Sequence, residues 1–129
     1  MTDSQKQPMP ETKKLLFLNR KAPYGSSLPR EALDAVLMAS AFGQQITLVF
    51  LEDGVFQLKK QQDPSAIEMK NFSKTFAALE MYGVSAVFVE QNSIQQRGLT
   101  LDDLLIPAQL IQSDALSLML ERQDQVLSF

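Results

Sequence analysis

A chain of 129 residues, 45% apolar, is long enough for one domain with its own core, too short for two comfortable ones, and too apolar to stay disordered. It contains neither cysteine nor histidine, which removes disulfides, thiol nucleophiles, histidine general bases and nearly all zinc or haem ligation. Net charge is −3 but uneven: residues 1–30 carry six Lys/Arg against two acids and residues 31–129 six against thirteen, so the body is acidic and ill suited to gripping phosphate backbones.

Residues 1–12, polar and holding Pro8 and Pro10, read as a flexible tail, with a single domain over 13–129. No apolar h-region marks a signal peptide and no run approaches the ~20 residues of a membrane span, so a cytoplasmic location is expected. Lys13-Lys14-Leu15-Leu16-Phe17-Leu18 reads as the first strand, ending near Asn19-Arg20. A loop from Lys21 to Ser27 follows, punctuated by Pro23 and Gly25. Pro29 suits a first helical turn, and Gly43 stops a helix that runs to about Phe42 with Leu33, Val36, Leu37 and Ala41 on one face.

Gln45 to Leu51 is the second strand. Its apolar run shows no alternation, the pattern of a strand buried on both faces of a parallel sheet. Glu52-Asp53-Gly54 then turns the chain, with Gly54 expected at positive φ. Asp63-Pro64 reads as a cap and first turn of a helix that starts there or near Asn71, with a stripe of Met69, Phe72, Phe76 and Leu79, stopped by Gly83. Val84 to Val89 is a third strand closing at Glu90, followed by helical turns over Asn92–Arg97 and a stop at Gly98.

Leu104 to Ile111 is a fourth apolar run broken by Pro107, so its strand either lies at a sheet edge or starts after the proline. Ser113 is expected to cap a short helix bearing Leu116, Met119 and Leu120, and Val126–Phe129 to form a last strand. The alternation of strands and helices predicts an α/β fold: three-layer α/β/α with a five-stranded parallel sheet, flavodoxin-like in general architecture.

Motifs for nucleotides are absent: there is no G-x-G-x-x-G after the first strand and no P-loop. The loop Tyr24-Gly25-Ser26-Ser27 is either a weak anion cradle at a helix N-terminus or a plain connection. Glu52-Asp53 ends a buried strand where sites of α/β sheets are usually built, and reads either as an acid pair for Mg²⁺ or acid–base work, or as a turn. Beyond it, Val55, Phe56 and Leu58 face either the core or a partner. A receiver domain would need an acidic pair after the first strand and an aspartate after the third; Asn19-Arg20 and Glu90 stand there instead.

Taken together, these residues resemble the DsrE/DsrF-like sulfur-relay family, and within it the DsrF-type subunits. The matching pieces are Ala22-Pro23-Tyr24-Gly25 after the first strand, Arg30 to Ala35, Asp53-Gly54-Val55-Phe56-Gln57-Leu58, Ser93-Ile94 with Gln96-Arg97-Gly98-Leu99, Ser113 to Leu116, and a last strand ending on Phe129. The resemblance spans roughly residues 13–129, and Asp53–Leu58 is its most specific segment. It implies a parallel sheet whose fourth strand is an edge. It also implies a dimer of heterotrimers with two paralogous DsrE-like subunits, TusB- and TusD-like, that relays persulfide sulfur toward 2-thiouridine at the tRNA wobble position, or a DsrEFH complex of sulfur oxidation. Sulfur-carrying members bear a cysteine eight residues before the glycine of an Arg-Gly pair; here that glycine is Gly98 and that position is Glu90. A carboxylate cannot hold a persulfide. The resemblance therefore implies an assembly role: no catalytic residue, no cofactor, no metal, no direct nucleic-acid contact, and a possible interface through Asp53, Gly54, Val55, Phe56, Leu58, Arg97 and Gly98. A free-standing flavodoxin-like module for an anion or flavin is the alternative.

Overall fold

Three apolar runs, each too uniformly hydrophobic to leave a face in water, supply the middle of one five-stranded parallel sheet. In the computed structural model, which describes residues 12–23, 25, 27–59, 79–82, 84 and 86–129, these are β1 (Lys14–Asn19), β2 (Gln45–Phe50) and β3 (Ala86–Glu90). β4 (Gln109–Ile111) and β5 (Gln125–Ser128) are the edges, giving the order β4-β3-β2-β1-β5. The register pairs Leu16 with Thr47 and Leu18 with Val49, while Val49 also pairs with Phe88. β4 begins two residues after Pro107 and sits at an edge, so the proline leaves no ladder bond unmade in the interior.

Helices α1 (Leu28–Ala41), α2 (Gln91–Gln96) and α3 (Ser113–Glu121) complete the layers. Pro29 lies in the first turn of α1, and Gly43, at φ 75°, ends it after Phe42. Of the face expected to be apolar, Leu33 and Val36 are buried and Leu37 half-buried, whereas Ala41 is exposed. Ser113 is not the cap of α3: Gln112 holds that position and Ser113 is already helical, its carbonyl accepting from Ser117 Oγ at 3.1 Å. Gly98, at φ 69°, ends α2. The helix expected between Asp63 and Gly83 lies outside the described residues apart from a 3₁₀ turn, Leu79–Tyr82; the expected tail lies outside them too, except Thr12.

One sheet face carries most of the core. Phe17, Ile46, Leu48, Phe50, Val87 and Val89 pack there against Leu33 and Val36 of α1 and Ile94 of α2. Phe129 stacks on Phe17 with ring centroids 6.1 Å apart, and its backbone N–H and carbonyl bond to Leu18 and Arg20, so the chain end is part of the sheet. On the opposite face, Leu16 and Val49 pack with Ile111 and with Leu116 of α3.

Candidate functional site

The carboxyl ends of β1, β2 and β3 converge, and the chain between β2 and the next described element does not simply turn. It winds into a 3₁₀ run, Glu52–Leu58, that folds back beneath the sheet end. Val55 and Leu58 are fully buried, at 0% exposure, and join the core. Of the two readings of that apolar patch, core and partner surface, the core is the one observed for Val55 and Leu58; Gly54 is buried as well, and Phe56 is half-buried. The bridge between Lys59 and Leu104, with Leu105 N–H donating to the Leu58 carbonyl at 2.6 Å, fastens the end of the run.

The turn geometry differs from expectation in one respect. Gly54 is not the residue at positive φ; Glu52 is, at φ 53°. Gly54 is needed for space instead. A Cβ there would lie 1.8 Å from the carbonyl oxygen of Asn19, a backbone atom that cannot swing aside. The Asn19 carbonyl accepts from Leu51 N–H at 3.1 Å, and the buried Asn19 amide donates to the carbonyls of Phe17 and Val49. Asn19 thus staples the end of β1 to that of β2.

Polar side chains then bind the strand ends to α2. The backbone N–H of Glu52 donates to Ser93 Oγ at 2.8 Å, and the Ser93 hydroxyl donates to the Glu90 carboxylate. Glu52 itself pairs with Arg20 at 2.9 Å. Arg97 spans Asp53, at 3.0 Å, and the Ser93 carbonyl, at 3.1 Å. The left-handed backbone of Glu52, which costs a non-glycine residue about 1 kcal/mol, is therefore held by bonds to Arg20, just past β1, and to Ser93 of α2. Gln57 is buried and donates to the Lys21 carbonyl at 2.7 Å, tying the run to the loop after β1.

Of the residues singled out from the sequence, Asp53, Glu90 and Arg97 come together here. Gly98 stands at the exposed end of α2, and its role is to stop the helix. Tyr24 and Ser26 of the possible anion loop lie outside the described residues; Ser27 precedes α1 and makes no side-chain cap bond. Ser93, Asn19 and Gln57 were not foreseen as site residues. A signal existed for Asn19, a polar residue closing an apolar run, and for Ser93, three residues after Glu90 at a helix start. Among the described residues no group of three or more acidic, cysteine or histidine side chains could hold a metal ion, and no helix is long and apolar enough to cross a membrane. What the arrangement does chemically is immobilise: each described carboxylate of the cluster has a donor, an arginine for Glu52 and Asp53 and the Ser93 hydroxyl for Glu90.

A parallel five-stranded sheet with helices packed on both faces defines a three-layer α/β protein. The sequence matches the profile of the DsrE/DsrF-like family over residues 13–129, and the chain belongs to that family. Within it, the chain is 40% identical to a TusC homolog of Vibrio parahaemolyticus over 89% of its own length and 98% of that protein's. It is 35% identical to a TusC homolog of Pseudomonas aeruginosa, covering 88% and 96%. It is also 50% identical to the intracellular sulfur oxidation protein DsrF of Allochromatium vinosum, over 72% of this chain and 68% of that one. In fold it is similar to the crystal structure of the ychN protein from E. coli, with a TM-score of 0.79 at 20% identity, over 92% of this chain and all of that one.

Proposed function

We propose that this chain is a non-catalytic, structural subunit of a TusBCD-type heterohexameric sulfurtransferase, placed in the cytoplasm beside two paralogous DsrE-like subunits, whose relay serves 2-thiouridine formation at the tRNA wobble position. Relay moves the outer sulfur of a persulfide to an attacking thiolate while the donor thiolate leaves. Each transfer needs two thiols, and this chain supplies neither. The observation that carries the reading is Glu90. By the family resemblance it takes the position of the cysteine of sulfur-carrying members; its carboxylate is engaged by Ser93, which in turn holds the Glu52 backbone. The similarity to TusC homologs along nearly their whole length supports the same assignment.

On this reading the strand-end cluster has become a brace, and the contacts offered to neighbours come from its outer rim: Asp53, Phe56, Arg97 and Gly98. Direct contact with tRNA falls to other subunits, because residues 31–129 carry thirteen acids against six Lys/Arg. The 50% identity to DsrF favours one second reading, a place in a DsrEFH-type complex of sulfur oxidation, which keeps the same assembly role. Co-expression of the tagged chain with the two paralogous subunits tests the proposal. Both should co-purify with it as a stable complex; recovery of this chain as a stable monomer, free of both, would overturn it.

A further inference from the structure

Asp53-Gly54 is the sole Asp-Gly step in the sequence, and Asn-Gly does not occur. A glycine leaves the amide nitrogen after an aspartate without a side chain to shield it, so this is the step at which a chain most readily isomerises. In that reaction the Gly54 nitrogen attacks Cγ of the Asp53 carboxyl in its protonated form. A C–N bond closes a five-membered succinimide, and the amide hydrogen leaves with the carboxyl hydroxyl as one water. Water then reopens the ring. Cleavage at Cγ restores aspartate; cleavage at the main-chain carbonyl leaves the chain running through the side chain, as isoaspartate. The net change is an isomerisation: water is lost and regained, and no oxidant or reductant takes part.

The fold opposes each requirement of this step. The carboxylate must shed its cation and gain a proton, yet Asp53 Oδ1 accepts from both Nε and Nη2 of Arg97, at 3.1 and 3.0 Å. The nitrogen must swing toward Cγ, yet the Gly54 N–H donates to the Leu51 carbonyl at 2.9 Å, and Gly54 is buried. The product must fit, yet isoaspartate adds one carbon to the main chain next to Gly54, where a mere Cβ would lie 1.8 Å from the Asn19 carbonyl oxygen. The Asp53 side chain is 61% exposed, so its guard is bonding rather than burial. We propose that Asp53-Gly54 is a latent isoaspartate site, closed while Arg97 and the 3₁₀ bond hold and opened when the run unwinds. Once formed, isoaspartate keeps the run from rewinding, so Val55 and Leu58 do not regain their places in the core. The step needs no second subunit.

Ageing the purified full chain at physiological temperature and neutral pH tests the proposal. Fragmentation mass spectrometry of the peptide locates isoaspartate at Asp53, and labelling by an isoaspartyl methyltransferase counts it. The folded chain should accumulate it about tenfold more slowly than the same chain held in urea. Folded Arg97→Ala should accumulate it about fivefold faster than the folded unaltered chain, the factor by which loss of such a bond raises the population of the opened run. Ile111→Val, a core change of similar cost on the opposite sheet face that leaves the Arg97 pair intact, should stay within about twofold of the unaltered chain. Equal rates in folded and urea-held chain, or an Arg97→Ala rate no higher than that of Ile111→Val, would overturn the proposal. Should Arg97→Ala not fold, the comparison of folded with urea-held chain decides by itself.

Discussion

Gly54 and Glu52 divide between them two demands that a turn usually places on one glycine. Glu52 takes the left-handed backbone and Gly54 supplies the missing side chain. Gly54→Ala puts a methyl group against the Asn19 carbonyl, and the sheet end must part to admit it. The expected loss is about 3 kcal/mol, read as a fall in the urea midpoint of the purified chain with unchanged slope. At Glu52 the side chain and the backbone pull in opposite directions. The ion pair with Arg20 is half in solvent, with side chains 49% and 50% exposed, so it contributes less than about 1 kcal/mol. Glu52→Gly should therefore be more stable than Glu52→Ala by about 1 kcal/mol, because both lose the pair and only glycine relieves the backbone; equal midpoints would contradict the strain at Glu52. The local sequence Glu-Asp-Gly announced a turn but could not say which residue carried the strain. The crowding at Gly54 comes from Asn19, thirty-five positions earlier, and becomes visible only when β1 and β2 lie side by side.

Among the elements, those written in repeating patterns were legible. Uninterrupted apolar runs located β1, β2 and β3, the helix stops stood at Gly43 and Gly98, and Pro107 called for a strand at an edge or starting after it, both of which β4 satisfies. The run Glu52–Leu58 was legible as a motif but not as a structure. Its 3₁₀ winding buries Val55 and Leu58, and that depends on the core waiting beneath the sheet end rather than on any period of its own. The brace between this run and α2 was equally hidden, since Ser93 and Arg97 find partners more than forty positions away in Glu52 and Asp53. The two arginines of the cluster should separate in experiment. Arg97 is 22% exposed and spans two acceptors in two elements, whereas Arg20 is half exposed on a single partner. Arg97→Ala should cost about 1 kcal/mol, and Arg20→Ala no more than about 0.5 kcal/mol. Denaturation of both variants in the same buffer checks the order, and a reversed order would remove Arg97 from the brace.

At the scale of the whole molecule, a member of the DsrE/DsrF-like family has a three-layer α/β architecture and contains no cysteine. At the strand ends the Glu90 carboxylate accepts from Ser93, and the neighbouring acids Glu52 and Asp53 are tied to Arg20 and Arg97. The central claim is that this chain supplies geometry to the relay and takes no part in its chemistry. Glu90→Gln tests it most directly, because the amide oxygen can still accept from Ser93 while the charge and any proton transfer are lost. Transfer of labelled persulfide sulfur through the complex, reconstituted with this variant, should proceed at the rate of the unaltered complex. An intact complex whose transfer slows tenfold or more with Glu90→Gln would make Glu90 a participant in the reaction and contradict the account.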